Sequence, residues 1–136
     1  MNTLRIWIIA SWIALPTVMF GGYSLLRLLN EGDRLTPFQA TWFRAGHAHA
    51  GVLLLMSLLY TTFLDQTSLS AAVKHTACLA VFVGVLAQSG GFFLHMGLGQ
   101  PNQASIGTTV TVTGAVLLAS AIGVLVYGLI TTPRPN

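Results

Sequence analysis

The sequence predicts an all-α integral membrane protein, a bundle of four antiparallel transmembrane helices with little mass outside the bilayer. Three observations favour this fold class. Of the 136 residues, 54% are hydrophobic and only 7% are charged, whereas a soluble domain carries about 25% charged residues. No Asp, Glu, Lys or Arg occurs between His75 and Pro133. Four apolar stretches are each long enough to cross a hydrocarbon layer of about 30 Å.

Turn and capping residues indicate where the four helices begin and end. Thr36-Pro37-Phe38-Gln39 predicts the start of the second helix, with Thr as N-cap, Pro at the first helical position and Gln at N3. Gly32 is suited to a left-handed cap after the first helix, and Gly97 and Pro101 predict the end of the third. We expect one domain over residues 1–136, with helices at about 4–29, 37–64, 70–96 and 103–131. Short connections make successive helices antiparallel neighbours.

The basic residues bear on orientation and partners. The chain has six Lys and Arg against three Asp and Glu, but no basic cluster that would indicate nucleic-acid binding. In a membrane protein this balance concerns topology and anionic lipid head groups. One side of the membrane carries Arg5, Lys74 and Arg134, and the other carries Arg27, Arg34 and Arg44. We expect a bacterial inner-membrane protein with both termini in the cytoplasm.

Three histidines are predicted to lie inside the membrane. His47 and His49 are well inside the second helix, and His95 closes the third. Ionisable residues in a spanning helix are costly and by default indicate a functional site. The second helix starts, and the third ends, on the same side, so all three histidines belong to one leaflet. Positions i and i+2 of a helix differ by about 200°, so His47 and His49 cannot both face one centre, and the sequence leaves open which one faces inward.

Two stripes of small and polar residues follow helical spacing on the last two helices. Small residues permit close approach of helices, and polar side chains hydrogen-bond across the interface. We therefore expect both stripes to face protein rather than lipid. The stripe on the third helix comprises Gly84, Gln88, Gly91 and His95, and the stripe on the fourth comprises Thr109, Thr113, Ser120 and Tyr127.

This set of residues favours a haem b site. Haem iron in a membrane bundle is commonly held by histidines of two facing helices, here His47 or His49 together with His95. Arg27 and Arg44 lie on the side where they could pair with the propionates, and Gln88 would supply a group at matching depth if His95 lies nearer the surface. The alternative is a copper or zinc ion held by the same histidines, because neutral imidazole suits both metals.

The segment Ala45–Tyr60, A-G-H-A-H-A-G-V-L-L-L-M-S-L-L-Y, resembles the second helix of haem–copper oxidase subunit I and of nitric oxide reductases. In that family the motif carries an axial ligand of the low-spin haem. By position His49 corresponds to that ligand, with His47 as the alternate. Nothing in the chain resembles the paired-histidine copper helix of the family. The resemblance therefore implies haem ligation and does not imply oxygen reduction.

We expect a small membrane haem- or metal-binding protein whose role is electron transfer, or redox chemistry on a membrane-soluble partner such as a quinone. Two alternatives remain open. One is an oligomeric transporter or channel subunit with Gln88, Thr109, Thr113 and Ser120 along a pathway. The other is a non-catalytic accessory subunit of a larger, respiratory membrane complex. A bundle this small has few internal contacts, so we expect a homo-oligomer or a partner membrane protein. No nucleophile–base pair, carboxylate pair or phosphate-binding loop assigns an enzyme activity.

Overall fold

A computed structural model describes residues 4–32 and 34–133, and the regular elements in these ranges are four α-helices. Each helix is long and apolar enough to cross a membrane, which confirms the predicted all-helical class and the number of candidate spans. Asp33 and Arg134 lie outside the described residues. The helices are α1 (Arg5–Asn30), α2 (Pro37–Asp65), α3 (Ala71–Leu98) and α4 (Ile106–Thr131).

Local sequence signals account for the helix ends. The Thr36 hydroxyl accepts a hydrogen bond from the Gln39 N–H at 3.2 Å, and the Gln39 side chain accepts one from the Thr36 N–H at 3.0 Å. Gly32 adopts the predicted left-handed conformation, with φ of 60°. α3 continues two residues beyond the predicted end at 96, because one glycine costs a helix only about 1 kcal/mol. α4 starts later than predicted, since Asn102 has a left-handed φ of 61° and Ser105 is the N-cap.

α3 and α4 pack antiparallel through glycines. Gly84 and Gly91 of α3 lie against Gly114 and Gly107 of α4, and a Cβ at Gly107 would overlap the backbone of His95. Such contacts leave no room for a larger side chain, so the two backbones approach closely. All four stripe residues of the third helix contact α4, which confirms that part of the prediction; they are Gly84, Gln88, Gly91 and His95.

The stripe predicted on α4 is not buried against the other helices of the same chain. Its members, Thr109, Thr113, Ser120 and Tyr127, are exposed. The hydroxyls need no partner helix, because they donate to carbonyls of their own helix: Thr113 bonds to the Thr109 carbonyl at 2.9 Å, and Ser120 bonds to the Val116 carbonyl at 2.8 Å. A hydroxyl satisfied in this way can face lipid, and α4 uses its glycines for contact instead.

α1 packs antiparallel on α2 and contacts α3 near one end. The buried hydroxyls of Ser11 and Ser57 lie 2.9 Å apart across the α1–α2 interface. The Trp7 ring lies 5.2 Å from the ring of His75 and 5.8 Å from that of Phe82, both on α3. α1 is the least enclosed of the four helices and α3 the most enclosed. The core is therefore centred on α2, α3 and α4, with α1 as an outer wall.

Candidate intramembrane histidine sites

His47 points at α1 and contacts it at a pair of glycines. A Cβ added at Gly22 would lie 3.0 Å from both Cε1 and Nε2 of the imidazole, and one at Gly21 would lie 3.6 Å from Nδ1. Larger residues at these two positions would crowd the ring, so the glycines make space for it. Within the described ranges the imidazole forms no hydrogen bond. His47 thus retains its hydrogen-bonding capacity for another molecule.

A cavity of about 260 Å³ lies beside His47, between α1, α2 and α3. We call it the His47 cavity; it lies between positions 14 and 21 of α1, 47 and 54 of α2, and 85 and 93 of α3. Its walls are apolar apart from Thr17, His47 and Ser89. The Thr17 hydroxyl donates to the Ala14 carbonyl at 2.6 Å. Among the polar residues that line the cavity, His47 and Ser89 are therefore the two whose side chains form no hydrogen bond within the described ranges.

Ser89 differs from the other buried hydroxyls of the bundle. It is 6% exposed, and its Oγ is the single buried side-chain oxygen or nitrogen without a hydrogen-bond partner in the part of the chain that the structure describes. By contrast, the buried Ser57 hydroxyl donates to the Leu54 carbonyl at 2.7 Å, and the Thr61 hydroxyl donates to the Ser57 carbonyl at 2.8 Å. A buried hydroxyl without a partner costs about 1–3 kcal/mol, so a hydrogen-bond partner for Ser89 would stabilise the protein.

The His47 cavity opens to the outside of the bundle between α1 and α3. Thr17 and Leu86, which line it, are both exposed. Gly22, beside His47, is eight residues from the end of α1 at Asn30, or about 12 Å along the helix axis. In a membrane-spanning α1, this depth lies among the lipid chains. A molecule dissolved in the bilayer could enter the cavity laterally.

His49 faces α3 instead of α1. Its ring centroid lies 4.6 Å from that of Phe92, and its Nδ1 lies 2.8 Å from the Ala45 carbonyl oxygen. A carbonyl can only accept, so Nδ1 is the donor of this bond, and in the neutral form of the imidazole Nε2 is the nitrogen without a proton. Metal-ligating histidines typically show this arrangement, with the second nitrogen donating to a carbonyl. His47 and His49 face different helices, as the spacing predicted.

His95 is enclosed at the end of α3 and is only 3% exposed. Its ring centroid lies 4.1 Å from that of Trp42 and 5.4 Å from that of Phe38. Its Nδ1 is 2.7 Å from the hydroxyl of Ser105, which is also the N-cap of α4. These contacts join the first turns of α2 and α4 to the last turn of α3.

The structure does not bring His95 together with His47 or His49. Trp42 lies against His95, and Gly46 lies against Phe92 and Phe93, so the antiparallel register sets His49 near the level of Ser89. His95 is then about six residues, or roughly 9 Å, nearer the membrane surface. The rings of Trp42 and Phe92, 5.6 Å apart, pack on His95 and His49 respectively. This geometry does not fit a haem held between His95 and a histidine of α2.

The remaining predicted residues, Arg27, Arg44 and Gln88, are not among those that line the His47 cavity. Arg27 pairs with Glu31 at 2.7 Å on the exposed surface. Arg44 is exposed one helical turn from His47, and it forms no ion pair with any residue in the described ranges. The Gln88 carbonyl accepts from Thr111 at 3.4 Å, which sets this residue at the α4 interface.

The described residues form neither a metal-binding group nor a continuous polar pathway. Residues 4–32 and 34–133 contain no group of three or more His, Cys, Asp or Glu side chains that could hold a metal ion. The proposed pathway residues Thr109, Thr113 and Ser120 lie on the outer face of α4, whereas Gln88 lies at the α3–α4 interface. Within one copy of the chain they do not line a common path.

No protein-family model, curated protein or solved structure matches the chain. The interpretation of the site therefore rests on the residues of this chain alone. Sequence reasoning missed Ser89, although a serine next to Gly90 and Gly91 in an apolar helix was a visible signal. Most serines and threonines here bond to a carbonyl of their own helix, and the sequence does not reveal which one lacks that bond.

Proposed function

We propose that the protein is a small membrane protein that binds a membrane-soluble redox molecule in the His47 cavity. One observation carries the proposal: an apolar, laterally open cavity at bilayer depth contains two hydrogen-bonding side chains, His47 and Ser89, which have no partner within the described ranges. Small-molecule sites are typically apolar clefts with a few convergent polar groups. A ligand that bonds to both groups would offset the cost of burying them.

A redox role is supported by the chemistry of histidine and by the resemblance of Ala45–Tyr60 to a haem-ligand helix. Imidazole can donate or accept a hydrogen bond, which suits a ligand that presents an acceptor in one redox state and a donor in the other. The proposal includes the bacterial inner membrane and cytoplasmic termini. Reporter fusions to each end of the chain would test that orientation.

A pair of glycine substitutions tests whether the cavity binds a ligand. A Cβ added at Gly90, which lines the cavity, or at Gly123 of α4 would meet nothing within 4 Å. Leucine should therefore be accepted at both positions, and only Gly90→Leu should fill the cavity. Each variant is purified in lipid nanodiscs, and bound small molecules are extracted and quantified by mass spectrometry. We expect near-stoichiometric ligand in wild type and Gly123→Leu, and a loss of most of it in Gly90→Leu. Equal amounts in all three would contradict the proposal.

A haem b ligated by His49 is the second candidate. The hydrogen bond from Nδ1 to the Ala45 carbonyl supports it, because this bond leaves Nε2 free to ligate iron. The resemblance of α2 also supports it. When bound, the haem would supply one-electron chemistry. His95 would not be the second ligand, since Trp42 and Phe92 occupy the intervening region.

An absorption spectrum of the purified protein, before and after dithionite, tests the haem candidate. A Soret band with sharpened α and β bands on reduction is expected in wild type and in His75→Ala, and should be lost in His49→Ala. His75 is a suitable control because its Nδ1 accepts from the Trp7 indole N–H at 3.2 Å, away from the His47 cavity. Spectra without haem bands in cells supplied with haem would reject this candidate, and metal analysis of the same sample would test copper and zinc.

A further inference from the structure

We infer that the His47 cavity holds the head group of a quinone, a single six-membered ring with carbonyl oxygens at its two ends. This inference rests on the proposed function and names its ligand. The volume of about 260 Å³ lies just below the range of roughly 300–1,000 Å³ for sites of drug-sized ligands. A single substituted ring suits that space.

The two available polar groups favour a neutral ligand with two acceptors. His47 is on α2 and Ser89 is on α3, so they approach a ligand from different walls. Each can donate a hydrogen bond: the hydroxyl through its proton, and the neutral imidazole through its single N–H. Carbonyl oxygens accept such bonds. A hydrocarbon would leave both groups without a partner.

The uncharged lining of the cavity disfavours an acid. None of its lining residues is Lys or Arg, and an ionised carboxylate is very costly to bury without a paired charge. A fatty acid head group would therefore be disfavoured, whereas a neutral dione would not. Among membrane-soluble neutral rings, a dione offers one acceptor to each of the two donors, one on α2 and one on α3.

The opening of the cavity suits the long apolar substituent that a membrane quinone carries on its ring. Thr17 and Leu86 flank the gap between α1 and α3 and are exposed at bilayer depth. A long apolar substituent on the ring could leave through this gap into the lipid chains. Leu54, Val85 and Phe93 provide apolar surface inside for the ring itself.

Two probes of equal shape test the inference on the full-length chain in detergent. One is a decyl-substituted para-benzoquinone, and the other is the decyl-substituted para-xylene, in which methyl groups replace the carbonyl oxygens. Binding is measured as the rise in Tm with probe concentration, since a ligand that binds only the folded state raises Tm by mass action. Ser89→Ala is compared with Ser120→Ala, whose hydroxyl bonds to its own helix on the outer face, and Gly90→Leu is included.

We expect the quinone to bind wild type and Ser120→Ala about tenfold more tightly than the xylene, since two hydrogen bonds of ordinary strength together correspond to such a factor. Ser89→Ala and His47→Leu each remove one of the two bonds, and each should lower the preference about threefold. If both probes bind equally and Ser89→Ala changes neither, the quinone inference is overturned while the cavity proposal stands. If neither probe binds, or Gly90→Leu binds both as wild type does, the cavity proposal fails with it.

Discussion

Gly90 and Gly91 are neighbours on α3, yet they face the two different halves of the bundle. A Cβ at Gly91 would overlap Thr111 and the backbone at Gly107, whereas a Cβ at Gly90 would meet nothing within 4 Å. Gly91 belongs to the α3–α4 interface, and Gly90 lines the His47 cavity between α3 and α1. Adjacent side chains of a helix diverge by about 100°. One turn of α3 thus serves a close interface on one side and an open space on the other.

The comparison shows that small residues have two distinct roles in a membrane helix. At the α3–α4 interface they permit contact between backbones, which is a source of stability where no hydrophobic effect drives helices together. Beside α1 they leave room: Gly21 and Gly22 accommodate the His47 ring, and Gly90 borders the cavity. The same residue type therefore stabilises one half and provides a binding space in the other.

The strongest test of this difference between Gly90 and Gly91 is to add one methyl group at each of the two positions. Gly91→Ala forces α3 and α4 apart, and we expect the free energy of unfolding to fall by about 2 kcal/mol, as for other overpacked sites. Gly90→Ala meets open space and should be neutral, or should gain about 0.5 kcal/mol from its better helix propensity. Unfolding in a denaturing detergent, followed by circular dichroism, measures both. Equal effects at the two positions would show that α3 does not separate the halves in this way.

Regular periodicity predicted the features that depend on a single helix or on one close contact. The capping residues Thr36 and Gln39 specified the start of α2. The small stripe of α3 could be recognised because glycines repeat at positions 84 and 91, where side chains must be absent for α4 to approach. Both features depend on residues that are close together in one helix, so the sequence alone was enough to predict them.

The features that the sequence did not predict depend on where a side chain finds its partner. Thr113 and Ser120 were expected to face protein, but each donates to a carbonyl of α4 and can face lipid. His95 was paired with the histidines of α2, but the depth of His95 depends on the register between α2 and α3. That register follows from packing of Trp42 on His95 and of Phe92 on His49, which no periodicity reveals.

A smaller effect is expected at the turn that closes the α3–α4 half. The Ser105 hydroxyl accepts from the Gly107 N–H at 3.0 Å and lies 2.7 Å from Nδ1 of His95. Ser105→Ala removes the N-cap of α4 and leaves the enclosed His95 nitrogen without its partner. Loss of an N-cap costs about 1 kcal/mol, and we expect about 1–2 kcal/mol in total.

The matched control for this change is Ser70→Ala, which removes the N-cap of α3. Ser70 accepts from the Val73 N–H at 3.4 Å and has no histidine partner among the described residues. We expect a loss of about 0.5–1 kcal/mol, near the lower part of the range for N-caps. The comparison by thermal and detergent unfolding isolates the contribution of the contact with His95. Indistinguishable losses would mean that this contact adds nothing to the stability of the turn.

The smallest effect is expected in the α1 half, at Ser11. The Ser57 hydroxyl donates to the Leu54 carbonyl at 2.7 Å, so Ser11 must be the donor in the 2.9 Å contact with the Ser57 oxygen. Ser11→Ala therefore removes one interhelical hydrogen bond and leaves no buried donor unpaired; such bonds contribute about 0.6 kcal/mol on average in membrane proteins. Ser24→Ala is the control on the same helix, because the Ser24 hydroxyl bonds to the Phe20 carbonyl of α1 itself at 3.0 Å. A loss for Ser11→Ala as large as that for Gly91→Ala would show that α1 is held as firmly as α4, and would contradict the view of α1 as a loosely attached wall of the cavity.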